Sequence, residues 1–273
     1  MSKPKVLISD PLNEAATKHL RDAGIDVVEQ SGLEESGVCE IIADFDGLIV
    51  RSGTQVTSAV LEAGTKLRVV GRAGVGVDNI DVPAATRQGV AVINTPEANT
   101  ISAAEQTVSM MLALARNIPQ ACAALKSGTW DRKTFVGQEI RGKTLGVIGL
   151  GKIGREVGTR AQSLGMKVVG YDPLVTEEVA AKAGAVLVDS AVEVIARADF
   201  ITLHLPHTDG THHIINAETL ENCKQGARII NCARGGILDE KAVLVALNEG
   251  NIAGVALDGF ATEPRAPDRE MVA

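Results

Sequence analysis

The sequence predicts an α/β protein built from two doubly wound parallel-sheet domains. Short apolar segments rich in β-branched residues alternate with helical segments along the 273 residues, which is typical of parallel sheets flanked by helices. The alternation runs through two series, separated by a long helical segment and a polar stretch from Ser127 to Gly142. We therefore expect a flavodoxin-like domain over residues 1–98 and a Rossmann domain over residues 99–273.

The first series contains five strand segments and one clear helix. The strands are expected at 5–8, 26–29, 47–50, 67–72 and 89–94, and the helix near 12–23. A longer helix follows, for which the capping-box pattern Ser102-x-x-Glu105 predicts the start and Pro119 the end. Its apolar face is formed by Val108, Met111, Leu112 and Ala115.

The second series is more regular than the first. Strands are expected at 144–149, 167–172, 185–188, 199–206, 226–233 and 252–260, with helices at 153–164, 176–183 and 239–248. Doubly wound sheets bind their ligands outside the carboxyl ends of the strands. The residues that directly follow these strands are therefore the first candidates for a functional site.

The composition argues against several classes of partner and site. A net charge of −7, with lysines and arginines dispersed among acidic residues, predicts no nucleic-acid partner. No apolar run approaches the roughly 20 residues that span a bilayer, and a strand pattern begins almost at once, so we expect no membrane segment and a cytoplasmic location. The four cysteines lack metal-ligand spacing, and we interpret them as unpaired structural thiols without a metal site.

The glycine motif Gly149-x-Gly151-x-x-Gly154 follows an apolar strand and opens a helix. Glycine is needed at such a turn for its tightness, for close approach of the backbone to a pyrophosphate, and for packing of the helix on the strand. The strand ending in Asp172 lies 18 residues past Gly154. A carboxylate there accepts hydrogen bonds from both ribose hydroxyls and repels a 2′-phosphate, so the sequence predicts an NAD site and disfavours NADP.

A second glycine-rich segment runs from Gly71 to Gly76 and also follows a strand. Its glycines are spaced differently from the dinucleotide fingerprint, and Asp78-Asn79 occupies the place where a helix would begin. The segment is either a loop whose backbone amides bind a small anion or a plain tight turn.

Two polar segments follow late strands of the second series. Arg234 lies between a buried strand and a glycine pair, and a guanidinium there can bind the carboxylate of a 2-oxo acid and polarise its carbonyl. Glu263 follows the last strand, where a carboxylate can orient a histidine and raise its pKa. From the residues alone, a surface arginine in a turn and a solvated glutamate remain alternatives.

Three motifs together resemble those of the D-isomer-specific 2-hydroxyacid dehydrogenases. The glycine fingerprint, NCARGGILDE at 231–240 and ALDGFATEP at 256–264 occur in that family's order and spacing. Supporting segments are KVLISDPL at 5–12, GLIVRSGTQVT at 47–57, VVGRAGVGVDNID at 69–81, NTPEANTISAAE at 94–105 and TWDRKTFVGQEIRGKTLGVIGLGKIGREV at 129–157. The similarity covers essentially the whole chain. Within the family it favours members that oxidise 3-phospho-D-glycerate to 3-phosphohydroxypyruvate with NAD, the first step of L-serine biosynthesis.

The resemblance implies a role for each matching residue. Arg234 would bind the substrate and Glu263 would partner the catalytic histidine, so that these two are the expected catalytic residues. The expected NAD contacts are Val75, Gly149, Gly151, Lys152, Ile153, Gly154, Asp172, Leu205, Cys232, Ala233, Arg234 and Asp258. The expected substrate contacts are Arg51, Arg72, Asn99 and Arg132. Arg132 would act from the neighbouring subunit of a homodimer or larger homo-oligomer.

The family's acid/base histidine lies in a TPHLGAS-like motif downstream of the Glu-Pro pair, and residues 1–273 contain no such motif. The last strand of the nucleotide sheet and a crossover helix would also follow. We therefore expect this chain to bind NAD without turnover, with an exposed strand edge and reduced stability. His204 is the candidate substitute for that acid/base histidine. Solvated positions are expected for His207, His212 and His213.

Two other functions remain open at this point. One is reduction of glyoxylate or hydroxypyruvate, against which the WDRKTF segment and the set of arginines argue. The other is a dinucleotide-sensing binding protein without turnover, for which retention of Arg234 and Glu263 is not required. Comparing phosphorylated with unphosphorylated substrates separates the first from the leading prediction.

Overall fold

The computed structural model describes residues 3–262 and divides the chain into two compact units, Met1–Asn99 and Thr100–Ala273. We call them the N-terminal unit and the C-terminal unit. Each contains one sheet in which every pair of neighbouring strands is parallel. The predicted fold class, two α/β parallel-sheet domains, is confirmed.

The sheet of the N-terminal unit has the strand order β2-β1-β3-β4-β5, the flavodoxin-like order. Its strands are β1 (Lys5–Ile8), β2 (Asp26–Glu29), β3 (Gly47–Val50), β4 (Val69–Arg72) and β5 (Ala91–Asn94). Its helices are α1 (Glu14–Asp22), α2 (Glu35–Ile41), α3 (Ser58–Ala63) and α4 (Val82–Gln88). The side chains of Leu7, Leu48 and Val70, one from each central strand, are fully buried in one core.

The helices α2, α3 and α4 were not predicted, because each has only six or seven residues and too few turns for a clear apolar period. Two of these helices, α3 and α4, begin at residues whose side chains form an N-cap hydrogen bond. The Thr57 hydroxyl accepts the Val60 N–H at the start of α3, and the Asp81 carboxylate accepts the Ala84 N–H at the start of α4. Gly89 then ends α4 with a φ of 71°.

The sheet of the C-terminal unit has the order β11-β10-β9-β6-β7-β8, which is the Rossmann order. Its strands are β6 (Thr144–Ile148), β7 (Lys167–Tyr171), β8 (Ala185–Leu187), β9 (Phe200–Leu203), β10 (Ala227–Asn231) and β11 (Ile252–Leu257). Its helices are α5 (Thr100–Ala115), α6 (Ile118–Lys126), α7 (Lys152–Ser163), α8 (Glu177–Lys182), α9 (Ala191–Arg197), α10 (Ala217–Leu220) and α11 (Glu240–Asn248). The helix α5 packs on α7 and β10 within this unit.

The prediction for the long central helix was wrong at its start, whereas the helix ends before Pro119 as expected. The helix α5 begins at Thr100, so Ser102 lies inside its first turn and does not cap it. It ends at Ala115, and Pro119 lies in the first turn of a second helix, α6. Proline is compatible with a first turn because its missing N–H has no partner there in any case. Asn117, with a left-handed φ of 52°, separates the two helices.

Within residues 3–262 no helix is both long enough and apolar enough to cross a bilayer. All four cysteines are free thiols.

Candidate active site

The three glycines of the fingerprint meet three different steric requirements in the C-terminal unit. Gly149 has a φ of +96°, and a Cβ there would lie 2.5 Å from the carbonyl oxygen of His204. A Cβ on Gly154 would lie 2.0 Å from the Gly149 oxygen, so helix α7 packs on the turn only without a side chain. A Cβ on Gly151 would meet nothing within 4 Å. The turn thus leaves one side of its backbone open, as close approach of a pyrophosphate requires.

The helix α7 begins immediately after this opening. Its N-cap is Gly151, which has no side chain to form a capping hydrogen bond. The first N–H groups of a 12-residue helix, from Lys152 onward, therefore lie beside the open face of the turn. The N-terminus of a helix and the positive end of its dipole favour a bound phosphate, so this part of the unit fits a dinucleotide.

Asp172 follows β7 and is held by the backbone around it. Its Oδ2 accepts the Leu150 N–H at 2.9 Å, and its Oδ1 accepts the Leu174 N–H at 2.9 Å. The first bond ties the carboxylate directly to the glycine turn. A carboxylate oxygen has a second lone pair, so both oxygens can still accept from ribose hydroxyls.

The other expected NAD contacts of this unit lie along one edge of its sheet. The register pairs Ile148 with Leu203, Leu203 with Asn231, and Asn231 with Leu257. The residues that follow these strand ends therefore share the carboxyl edge, namely Gly149, Leu205, Cys232, Ala233 and Asp258. The Asp258 carboxylate accepts a hydrogen bond from the Gln106 side chain on α5 at 3.2 Å.

Cys232 lies on this edge as a neutral thiol. Burial raises the pKa of its thiol to about 11, with the charge of Asp258 acting in the same direction and a hydrogen bond to Thr107 opposing it. Its Sγ lies 3.4 Å from the Sδ of Met110. A protonated, partly buried thiol is a poor nucleophile, so Cys232 can contribute packing at this position and not covalent chemistry.

The turn that carries Arg234 is organised by Asn231, a buried residue at the end of β10. The Asn231 amide donates to the Arg234 carbonyl at 2.8 Å and accepts the Ala233 N–H at 3.0 Å. The Arg234 guanidinium donates to the Ala233 carbonyl at 2.8 Å. The side chain is therefore part of a fixed, half-buried turn, and a free surface arginine is the weaker reading.

The segment after β11 packs against this turn. A Cβ on Gly235 would lie 1.9 Å from the carbonyl carbon of Phe260, so the contact requires glycine. The Ala261 N–H donates to the Glu240 carboxylate at 2.8 Å. Glu263, the expected carboxylate partner of the histidine, lies two residues further along, outside the described residues.

In the N-terminal unit, Arg51 and Arg72 also lie at the carboxyl edge of the sheet. Arg51 follows β3, Arg72 ends β4, and the register pairs Val50 with Arg72. The Arg72 side chain folds over the next loop, since a Cβ on Gly74 would lie 1.9 Å from its Nη1. Val75 lies in that loop, and its carbonyl accepts from the Asn94 amide at 2.6 Å.

The segment from Gly71 to Gly76 leads into a turn at Asp78-Asn79 and not into a helix. It therefore differs in structure from the dinucleotide turn of the C-terminal unit. Asn99 is the last residue of the N-terminal unit, and Arg132 lies in the exposed segment after α6, away from the strand ends. These two residues are not placed on either strand edge.

His204 directly follows β9 beside the glycine turn and is unsuited to acid chemistry. Burial lowers the pKa of its imidazole to about 4, and its Nε2 lies 3.0 Å from the Thr202 hydroxyl. The ring is neutral near pH 7 and is a weak base. His207, His212 and His213 form a partly exposed cluster, in which His207 Nε2 and His212 Nδ1 are 3.0 Å apart and the rings of His212 and His213 stack.

Sequence reasoning missed several polar residues that organise these strand ends. In the C-terminal unit, Asn231 is hydrogen-bonded to the Arg234 carbonyl and Gln106 to the Asp258 carboxylate. In the N-terminal unit, Asp10 and Asn79 are hydrogen-bonded to the backbone of Arg51. A polar residue at the end of an apolar strand is a usable signal for Asp10 and Asn231. Gln106 lies on a helix and Asn79 in a loop, and their partners, Asp258 and Arg51, are distant in sequence, so no local pattern identifies them.

Comparison with known proteins agrees with this geometry. Residues 108–273 match the family model described as D-isomer specific 2-hydroxyacid dehydrogenase, NAD binding domain. A D-3-phosphoglycerate dehydrogenase of Methanocaldococcus jannaschii is 55% identical over 260 residues, which are 95% of this chain and 49% of that protein. The chain spans about half the length of the curated relatives it matches.

Solved structures of related enzymes have the same fold. A glyoxylate reductase from Paecilomyes thermophila superposes with a TM-score of 0.90 at 29% identity, covering 100% of this chain and 86% of that one. The D-lactate dehydrogenase from Aquifex aeolicus, solved with NAD and lactic acid, gives a TM-score of 0.84 at 28% identity, covering 97% of this chain and 82% of that one. The chain therefore belongs to the D-isomer specific 2-hydroxyacid dehydrogenase family and carries its NAD-binding domain.

Proposed function

We propose that the protein oxidises 3-phospho-D-glycerate to 3-phosphohydroxypyruvate with NAD, as a step of L-serine biosynthesis. The observation that carries this proposal is the 55% identity, over 95% of the chain, to a protein named D-3-phosphoglycerate dehydrogenase. The glyoxylate reductase of the same fold is only 29% identical. A phosphorylated three-carbon acid carries about three negative charges, which suits the arginines at the strand ends.

In this proposal the C-terminal unit supplies most contacts to the dinucleotide, the N-terminal unit supplies Arg51, Arg72 and Asn99 to the substrate, and the boundary lies near residue 99. The backbone of the glycine turn and α7 takes the pyrophosphate, and Asp172 takes the ribose hydroxyls. The remaining proposed contacts follow the strand ends, namely Val75, Leu205, Cys232, Ala233, Arg234 and Asp258. NAD supplies the hydride acceptor when it is bound.

The chain's own groups then bind and orient the acid. Arg234 holds the carboxylate and, in the reverse direction, polarises the C2 carbonyl. Arg51, Arg72, Asn99 and Arg132 are the proposed contacts for the remaining anionic groups. During oxidation the C2 hydroxyl loses its proton as C2 loses a hydride. The family resemblance assigns that proton to a histidine in a TPHLGAS-like motif, oriented by Glu263, and His204 does not suit the task because its pKa is about 4.

Binding measurements test the substrate class even where turnover is absent. NADH is titrated by its fluorescence, and 3-phospho-D-glycerate and D-glycerate are then titrated into the NADH complex. We expect 3-phospho-D-glycerate to bind at least about tenfold more tightly, because one added charge-assisted phosphate contact contributes about 1.5–3 kcal/mol. Equal affinity for the two acids, or tighter binding of glyoxylate, would contradict the proposed substrate. Formation of NADH from NAD and 3-phospho-D-glycerate is the direct assay of turnover.

We also propose a homodimer, formed through α6 and the segment after it. No residue of α6 is buried within the chain, although the helix contains Ile118 and Leu125. Trp130 is 77% exposed and Val136 is 73% exposed in the following segment. Exposed apolar side chains concentrated in one segment are typical of a protein interface, and Arg132 lies in the same segment. The arginine could thereby reach the site of the neighbouring subunit.

The sole tryptophan of the chain reports on this dimer. Emission from Trp130 should shift to shorter wavelength as protein concentration rises, because association buries the indole. Trp130→Ala should shift the mass measured by light scattering toward the monomer, whereas Val245→Ala, at an exposed valine on α11, should not. A wild-type monomer at all concentrations would contradict the proposal. The four free thiols suit a reducing compartment, which supports a cytoplasmic location.

A further inference from the structure

The loop that carries Arg51 is built around a buried carboxylate. Asp10 follows β1 and is 7% exposed. Its Oδ2 accepts the Arg51 N–H at 2.6 Å and the Thr54 N–H at 3.1 Å, and its Oδ1 accepts the Thr54 hydroxyl at 3.1 Å. A Cβ on Gly53 would lie 2.6 Å from Asp10 Oδ1, so the loop wraps closely around the carboxylate.

Asn79 holds the same loop from its carbonyl side. Its amide group donates to the Arg51 carbonyl at 2.8 Å and to the Thr54 carbonyl at 2.6 Å. The N–H and C=O groups of both Arg51 and Thr54 are thus occupied by just two side chains, Asp10 and Asn79. The Arg51 guanidinium, by contrast, is exposed, and its one hydrogen-bond contact among residues 3–262 is with the Pro11 carbonyl at 3.5 Å.

The hydrogen-bonded backbone and the exposed guanidinium of Arg51 together favour anion binding. A loop with fixed backbone and a free guanidinium loses little backbone entropy when the arginine binds an anion. Asp10 is buried and its two oxygens accept the Arg51 N–H, the Thr54 N–H and the Thr54 hydroxyl, whereas the Arg51 guanidinium contacts the Pro11 carbonyl and not this carboxylate. We propose that Asp10 and Asn79 are positioning residues that preorganise Arg51 to bind an anionic group of the substrate. The proposal rests on the proposed function, which supplies the anion.

The test compares Asp10→Ala, Asp10→Asn and Asn79→Ala with a matched control, Asp46→Ala. The Asp46 carboxylate accepts the Lys5 N–H at 2.8 Å at the opposite end of β1, so it clamps the same strand far from the Arg51 loop. Titration of 3-phospho-D-glycerate into the NADH complex is the main measurement. NADH affinity and thermal stability are recorded for every variant, to separate a local effect from loss of fold.

We expect Asp10→Ala and Asn79→Ala to weaken binding of 3-phospho-D-glycerate about tenfold, with NADH affinity unchanged. Asp10→Asn should lie within about threefold of wild type, because its amide oxygen can accept both N–H groups and its NH₂ can donate to the Thr54 hydroxyl. Asp46→Ala should change stability without changing substrate affinity. Asn79 is only half-buried, so its variant should fold even if Asp10→Ala does not.

A double-mutant cycle distinguishes positioning from general stabilisation. If Asp10 acts through Arg51, adding Asp10→Ala or Asn79→Ala to Arg51→Ala should weaken binding no further. A full additional tenfold loss in the Arg51→Ala background would overturn the inference, and so would unchanged binding in the single variants. Failure of wild type itself to bind 3-phospho-D-glycerate would be a different result, because it removes the proposed function and with it the anion for which the loop is preorganised.

Discussion

The two units share a parallel-sheet architecture but use the end of their first strand in opposite ways. In the C-terminal unit β6 runs into glycines, and the space beside Gly151 is left open above the start of α7. In the N-terminal unit β1 is followed by Ser9 and Asp10, and the Asp10 carboxylate accepts hydrogen bonds from the loop after β3. One unit thus offers backbone N–H groups to an anion, and the other offers side chains from a fixed loop.

Under the proposed function, this difference would give the two phosphate-bearing ligands two different modes of recognition. Backbone amides and a helix dipole bind a pyrophosphate without a cation and leave the ribose to Asp172. Arginines bind a small, highly charged acid more strongly, provided that they are held in place. The following predictions test whether the two modes are separate.

Substitution within the glycine turn should have the largest effect on stability and on NADH affinity. Gly154→Ala should lower the free energy of unfolding by about 2–3 kcal/mol, because its Cβ would lie 2.0 Å from the Gly149 oxygen and helix or strand must shift. Gly151→Ala should stay within about 0.5 kcal/mol of wild type, because nothing lies within 4 Å. Both should weaken NADH binding about tenfold or more, the second by occupying the open face of the turn. Urea denaturation and NADH titration measure the two quantities.

The contrast between the glycines would be lost if Gly151→Ala bound NADH as wild type does. In that case the open face beside Gly151 is not where the dinucleotide approaches the backbone.

Removing the Asp172 carboxylate, the proposed ribose contact, should have a smaller effect, confined to dinucleotide affinity. Asp172→Asn should weaken NADH binding about tenfold and narrow the preference for NADH over NADPH, because the repulsion of a 2′-phosphate is lost. Asp189→Asn, at an exposed aspartate after β8, is the matched control and should change neither affinity. An unchanged NADH/NADPH ratio in Asp172→Asn would show that another group reads the ribose.

Acid should destabilise the C-terminal unit through His204. Burial lowers its pKa to about 4, so the unfolded chain, with an ordinary imidazole near 6.5, binds more protons between those values. The contribution is present above about pH 6.5 and is lost as pH falls toward 4, amounting to about 2 kcal/mol between pH 7 and pH 5. His204→Gln should reduce this loss, measured by urea denaturation at the two pH values.

The histidine of the N-terminal unit provides the control for that measurement. His19 is exposed on α1, and His19→Gln should leave the pH dependence of stability unchanged. An identical pH dependence in wild type and His204→Gln would mean that the imidazole is not held neutral by the fold.

The sequence was informative where a residue's role depends on its immediate neighbours. Strands such as Gly47–Val50 were predicted to the residue because a four-residue apolar run that contains β-branched residues and is bounded by polar residues favours a strand. Gly149, Gly151 and Gly154 were identified because spacing, a preceding strand and a following helix all agree. The expected NAD contacts at the ends of β9, β10 and β11 follow from topology, since parallel strands present their carboxyl ends at one edge.

The sequence was uninformative where a role depends on distant partners or on subtle capping. Ser102 and Glu105 satisfy a capping-box pattern but lie within α5, because packing of α5 on α7 and β10 extends the helix to Thr100. Asp10 is 41 residues from Arg51 and Gln106 is 152 residues from Asp258, so neither pairing has a local signature. The roles of Glu263, Arg132 and Asn99 remain predictions from the resemblance.

The most direct test of the account is a table of dissociation constants for NADH and for 3-phospho-D-glycerate in wild type, Asp172→Asn and Arg51→Ala. Each acid titration is made on protein saturated with NADH. We predict that Asp172→Asn weakens NADH about tenfold and leaves the acid within about twofold, whereas Arg51→Ala does the reverse. Loss of NADH affinity in Arg51→Ala at unchanged stability, or unchanged affinity for the acid in that variant, would contradict the division of the two ligands between the two units.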